Sequence, residues 1–153
     1  MRVTRRESWD EYFLRLCDLI SQRSTCLRRP AGAIIVKNKR ILSTGYNGAP
    51  SGDPHCTELG CLRADAKSGQ ELENCRALGL HAETNAIINA ARIGVSVEGA
   101  TMYTKYSPCK LCCAAIVNAG ISRVVYKKLY EGYREGPSWL RKRGIEVDNM
   151  DRH

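Results

Sequence analysis

Four side chains in this sequence have the types and spacing to activate a water molecule. His81 and the pair Cys109 and Cys112 offer one imidazole and two thiolates, and Glu83 adds a carboxylate that need not be a ligand. A His and two thiolates hold zinc through three protein ligands and leave the fourth position open, which is the arrangement of a catalytic rather than a structural zinc. Zinc brings the pKa of a bound water to about 7, and a carboxylate two residues from a ligand is placed to take that proton and pass it on. The expected chemistry is hydrolytic. The competing reading is a closed structural zinc with Glu83 as an ordinary helix-surface residue; it would need a fourth ligand, and Cys113, four residues after Cys109, could supply one.

These residues need two helix starts brought together. Pro108 fits the first turn of a helix ending near Gly120, which sets Cys109 and Cys112 at i and i+3 on one face. The positive end of that helix lowers thiol pKa and favours both thiolates. His81 directly precedes a second amphipathic helix that runs to about Arg92 and stops at Gly94, with Ala86, Ile87, Ala90 and Ala91 as its inner face.

Upstream, Ser8 caps a helix over about 9–22, where Trp9, Tyr12, Phe13, Leu16, Leu19 and Ile20 recur at helical spacing and are expected in the core. Cys17 near that face reads as a small buried hydrophobe. Strands at 31–36 and 40–46 flank a turn at Lys37-Asn38-Lys39. Residues 49–80 form a loop-rich, cysteine-bearing insertion without sustained periodicity. Strands at 99–104, 121–126 and 145–147 alternate with the helix at 108–120 and a last helix at 138–143. The pattern predicts one α/β domain over 1–153: a three-layer α/β/α sandwich on a mixed, about five-stranded sheet.

The chain has 153 residues, is 43% hydrophobic and carries a net charge of +8, with no apolar run long enough for a membrane span. Met1-Arg-Val-Thr-Arg-Arg-Glu-Ser-Trp lacks the apolar stretch of a secretory segment, so a cytoplasmic location is expected. Eight cysteines in such a chain point to metal rather than disulfides. Cys26, Cys56, Cys61 and Cys75 make a candidate closed structural zinc site, with His55 as a substitute ligand and free loop thiols as the alternative. The positive charge suits an anionic partner, either a nucleic acid or a phosphorylated small molecule, and equally a solvated basic surface. Arg23 and Arg28 are candidates for a phosphate, since a guanidinium grips phosphate bidentately; Tyr130 and Tyr133 are weaker ones.

His81-Ala-Glu followed by Pro108-Cys-Lys-Leu-Cys resembles the signature of zinc nucleobase deaminases. With Trp9-Asp-Glu-Tyr-Phe, Arg23-Ser-Thr-Cys, Gly32-Ala-Ile-Ile-Val, Ser43-Thr-Gly-Tyr-Asn-Gly and Asn118-Ala-Gly-Ile, the chain from about residue 9 to 126 resembles the deoxycytidylate (dCMP) deaminases. The resemblance implies a cytidine-deaminase-like fold and hydrolysis of dCMP to dUMP and ammonia for thymidylate synthesis. Zinc-activated water would attack C4 of the cytosine, and Glu83 would shuttle the proton. It further implies a homo-oligomer, commonly a hexamer, a second zinc in the insertion of some members, and dCTP and dTTP as effectors, with Mg2+ accompanying an allosteric nucleotide. Asn47 would bond the deoxyribose or base, the Ala82 backbone would contact the pyrimidine, and Ser107 would hold the leaving amine. Thr84 stands where Met or Leu is common in the family, and Lys105-Tyr106 where a Thr and an apolar residue are common. Alternatives are a deaminase of dCTP, a deaminase of a base in RNA or DNA, and a non-catalytic zinc module that binds nucleic acid. The long insertion beside Tyr-Asn-Gly favours a free nucleotide over nucleic acid.

Overall fold

The computed structural model describes residues 4–151. The first three residues of the N-terminal stretch read above as lacking a secretory segment lie outside the described residues. The elements are α1 (Trp9–Ser21), β1 (Gly32–Lys37), β2 (Arg40–Tyr46), α2 (Cys56–Leu59), α3 (Ala82–Ile93), β3 (Thr101–Tyr106), α4 (Lys110–Asn118), β4 (Arg123–Lys128), α5 (Gly136–Arg141) and β5 (Glu146–Asn149). No helix among the described residues is long and apolar enough to cross a membrane.

The five strands form one mixed sheet in the order β2-β1-β3-β4-β5. β1 runs antiparallel to both β2 and β3, while β3, β4 and β5 are parallel. Asn38 and Lys39 both take positive φ, which lets a two-residue turn join β1 to β2 with a twist that matches the strands. Alternation along each strand then sorts side chains to two layers. Ile34 and Val36 on β1, Tyr103 on β3 and Val125 on β4 pack with Phe13, Leu14 and Cys17 of α1. Ala33, Ile35, Met102, Val124 and Tyr126 face the other way, toward Ala82, Ala86 and Ala90 of α3, Ile116 of α4 and Leu140 of α5. The architecture is the expected three-layer sandwich.

Ser8 caps α1 as read, in a capping box with Glu11. Trp9, Tyr12 and Leu19, however, are exposed rather than core. The face of α1 that meets the sheet is the narrower stripe of Phe13, Leu14 and Cys17, so Trp9 instead stacks on Phe13 at the rim, with ring centroids 5.7 Å apart. Ala91 is likewise exposed, because the inward stripe of α3 runs through Ala82, Glu83, Ala86 and Ala90. Those alanines let α3 lie close on β2. At the contact stands Gly45, where an added Cβ would sit 2.4 Å from both the Ala82 carbonyl oxygen and the Ala86 nitrogen. Asn85 of α3 donates from Nδ2 to the carbonyls of Tyr46 (2.8 Å) and Leu80 (3.2 Å), tying together the two ends of the insertion.

α1 is fastened to the far side of the sheet by charge. Arg123 donates to both carboxylate oxygens of Asp10 (3.0 and 2.8 Å) and to Asp148, and the Tyr103 hydroxyl donates to Asp10 at 2.6 Å. The Arg123 guanidinium holds the Asp10 carboxyl below its ordinary value. A carboxyl whose pKa is lower folded than unfolded contributes stability above the unfolded value, and that contribution is lost as pH falls through the folded one. Asp10→Asn is therefore expected to cost about 1–3 kcal/mol at neutral pH and to flatten the acid side of a plot of melting temperature against pH. A variant as acid-sensitive as the parent would show that the contact carries none of this dependence.

Candidate metal and substrate site

The two helix starts meet at the carboxyl end of β3. His81 is the N-cap of α3 and Cys109 the N-cap of α4, both in extended backbone conformation, and neither side chain makes a capping bond. Pro108 thus precedes the helix instead of opening it, and Cys112 lies in the first turn. His81 Nδ1 is 3.2 Å from Cys109 Sγ and 3.4 Å from Cys112 Sγ. A tetrahedral zinc with about 2.3 Å to sulfur and about 2.0 Å to nitrogen separates such atoms by roughly 3.5 Å, so the three donors fit that ion. All three ligand atoms lie within 4.8 Å of one another, the one such group among the described residues.

The charge state suits a cation as well. The neighbouring Cys112 thiol, and after it the His81 ring, draws the Cys109 thiol below its ordinary value. Cys112, beside it and fully buried, is pushed up instead. Cys113 does not join them. Its thiol donates to the Pro108 carbonyl at 3.5 Å, and burial pushes it up to about 12.

Glu83, in the first turn of α3, is 6% exposed and lines the same cavity as His81 and Cys109. Its Oε1 accepts a bond from the Thr104 hydroxyl at 2.8 Å. Ala82 and Ser107 also line the cavity, and Ser107 Oγ accepts from the Tyr130 N–H at 2.7 Å. Asn47 is there too, with Oδ1 accepting from Ser24 Oγ (2.5 Å) and the Ala31 N–H (2.9 Å) and Nδ2 donating to the Arg29 carbonyl (2.8 Å).

The cationic residues divide by role. Arg23 is exposed and lies outside the cavity lining. Arg28 reaches the lining, but its guanidinium donates to the carbonyls of Arg63 and Ala66 and so clips the insertion to the chain before β1. Two arginines that the sequence reading passed over, Arg29 and Arg63, line the cavity. Arg29 is held between the rings of Tyr106 (5.1 Å) and Tyr130 (4.7 Å), with a bond to Ser68 Oγ at 3.3 Å. Nothing in Arg28-Arg29 marks which neighbour spends its guanidinium on backbone carbonyls. Tyr133 packs toward the core, and Lys105 lies over the Tyr106 ring.

The insertion covers the cavity with Cys56, Leu72 and Cys75. Burial, followed by the neighbouring Cys26, Cys61 and Cys75, pushes the Cys56 thiol up, so the four sulfurs share one neighbourhood, though they are not drawn in as closely as the His81 group. Cys26 Sγ accepts from the Arg29 N–H (3.3 Å) and Cys61 Sγ from the Arg63 N–H (3.4 Å). His55 Nδ1 is buried beside them in sequence without a hydrogen-bond partner.

Residues 7–128 match the family model described as the cytidine and deoxycytidylate deaminase zinc-binding region. The chain is 37% identical to ComE operon protein 2 of Bacillus subtilis, over 95% of this chain and 73% of that protein. It is 41% identical to a deoxycytidylate deaminase of Saccharomyces cerevisiae over 93% of its length, but spans only 45% of that longer relative. Among solved structures, the dCMP deaminase of cyanophage S-TIM5 in complex with dCMP and dUMP superposes with a TM-score of 0.78 at 33% identity, covering 96% of this chain and all of the other.

Proposed function

Because the chain belongs to the cytidine and deoxycytidylate deaminase family, we propose that it hydrolyses dCMP to dUMP and ammonia, supplying dUMP for thymidylate synthesis. The observation that carries this reading is that Glu83 lines one cavity with His81 and Cys109 of the His81–Cys109–Cys112 donor group, and that the same cavity also presents Arg29 and Arg63. His81 Nδ1 and the sulfurs of Cys109 and Cys112 would hold zinc, which would supply the Lewis acidity that makes water a nucleophile near neutral pH. Glu83 accepts the proton released when oxygen adds to C4 of the pyrimidine. It returns that proton to ring N3 and carries the next to the amino group, so the C4–N bond breaks and ammonia leaves. The N-terminal ends of α3 and α4 oppose the negative charge that builds during the addition.

Ser107 and Ala82, which line the cavity, are the proposed contacts to the base, Ala82 through its backbone. Asn47, with one amide proton beyond its bond to Arg29, serves the deoxyribose. Arg29, whose guanidinium lies over the rings of two tyrosines, and Arg63 are the phosphate partners favoured here over Arg23, which is outside the lining, and Arg28, which is taken up by backbone carbonyls. Cys26, Cys56, Cys61 and Cys75 would hold a second zinc that would fix the insertion beside the cavity, a reading supported by their shared neighbourhood and the N–H bonds to Cys26 and Cys61. Ile88, Ile93 and Leu111 are exposed apolar side chains on the two helices that carry the site, the kind of surface a homo-oligomer buries.

The test is to offer the protein dCMP, dCTP, deoxycytidine and a cytosine-containing oligonucleotide and to follow loss of the cytosine absorbance. Consumption of dCMP, with deoxycytidine worse by about tenfold or more for want of the charge-assisted phosphate bonds, is the expected result. Reaction of the oligonucleotide alone overturns the reading. Metal analysis of the same sample should give about two zinc ions per chain; one would remove the second site.

A further inference from the structure

Thr104 sits on β3 with no exposed surface and faces α3 across the core. Its hydroxyl oxygen is 2.8 Å from Glu83 Oε1 and 3.0 Å from the Tyr106 carbonyl. A hydroxyl has one proton to give, and both neighbours accept. Of the two, Glu83 Oε1 is the nearer acceptor. This is the one side-chain hydrogen bond that Glu83 makes among the described residues.

β3 is an inner strand. Thr104 is paired with Ala33 of β1 on one side and Tyr126 of β4 on the other, so its backbone is fixed from both edges. Glu83, by contrast, hangs on a side chain with three rotatable bonds from the first turn of α3. We propose that Thr104 is a positioning residue for the proton transfer, holding Glu83 Oε1 against the sheet so that Oε2 is left to face the substrate. The inference rests on Glu83 being the proton carrier of the proposed deamination and deepens that reading. The hydroxyl matters here, not the size of the side chain. Valine has nearly the same shape and no donor, whereas serine keeps the donor and loses only a methyl group.

The experiment compares the full chain with T104V, T104S and T104C, measuring zinc content, melting temperature, and kcat and KM for dCMP. T104V and T104C are expected to keep their zinc and a KM within about twofold, while kcat falls by about ten- to a hundredfold, the scale of a misplaced catalytic group. T104S is expected to stay within about threefold of the parent in kcat. If T104V does not fold, T104C, which like serine lacks the methyl group and puts a weak thiol donor in place of the hydroxyl, answers the same question against T104S. A zinc-loaded T104V or T104C that melts at a lower temperature but turns over at the parent kcat assigns Thr104 a packing role and overturns the proposal. A parent protein that holds zinc yet leaves dCMP unchanged removes the deaminase reading itself. An active parent with an unaffected variant removes only the assignment of Thr104.

Discussion

Glu83→Gln is expected to lower dCMP turnover by about 10²- to 10⁴-fold, the usual contribution of a positioned acid or base, with the catalytic zinc retained. The substitution isolates proton transfer from everything else the residue does. A glutamine has the same length, sits in the same first turn of α3, and can present its carbonyl oxygen to the Thr104 hydroxyl as Oε1 does now. What it cannot do is take up and release a proton. Because the group that could hold the metal is His81, Cys109 and Cys112, without Glu83, the ion should remain, and zinc measured beside kcat separates loss of chemistry from loss of the centre. A Glu83→Gln protein with the parent kcat would leave the cavity without a proton carrier, and the proposed mechanism with it.

The second large effect is expected from a residue that touches neither metal nor substrate. At Gly45 a single methyl group would lie 2.4 Å from two backbone atoms of α3, and neither can rotate away as a side chain could. Gly45→Ala must push the start of α3 off β2 by about 1 Å to restore ordinary contact, and such overpacking costs about 1–3 kcal/mol. The displaced turn carries His81 and Glu83, while Cys109 and Cys112 stay with β3 and α4. Weaker zinc retention against a chelator and a kcat lower by about 10²-fold should follow together. A destabilised Gly45→Ala protein whose zinc retention and kcat match the parent would show that α3 yields elsewhere.

The split between what the sequence revealed and what it hid follows the range of the interactions. Helices and strands were legible because their signals are local: the Ser8 cap, the turn at Lys37-Asn38-Lys39, and glycines at helix ends. The candidate metal donors stood out because each sits within a residue or two of a helix start. Burial on α1 was misread at Trp9, Tyr12 and Leu19, since periodicity gives a helix's apolar face but not how much of that face the sheet is wide enough to cover. Arg29 was passed over in favour of Arg28, its neighbour, because only the folded placement of the Arg63 and Ala66 carbonyls decides which guanidinium is taken up by backbone. Thr104 gave no signal at all, as its bond to Glu83 depends on how β3 registers against α3, a contact between segments far apart in the chain.

The Asn85 side chain, bonded to the carbonyls on either side of the insertion, has a consequence for how such a protein can change over generations. With the ends of the excursion held at a fixed separation by the helix itself, the chain between them is free to grow or shrink, and each doubling of its length adds only about 0.6 kcal/mol of closure entropy. The scaffold that performs the bond cleavage need not register such a change. Selectivity for what enters can be rewritten within one exchangeable segment, while the reactive apparatus beneath it is inherited intact.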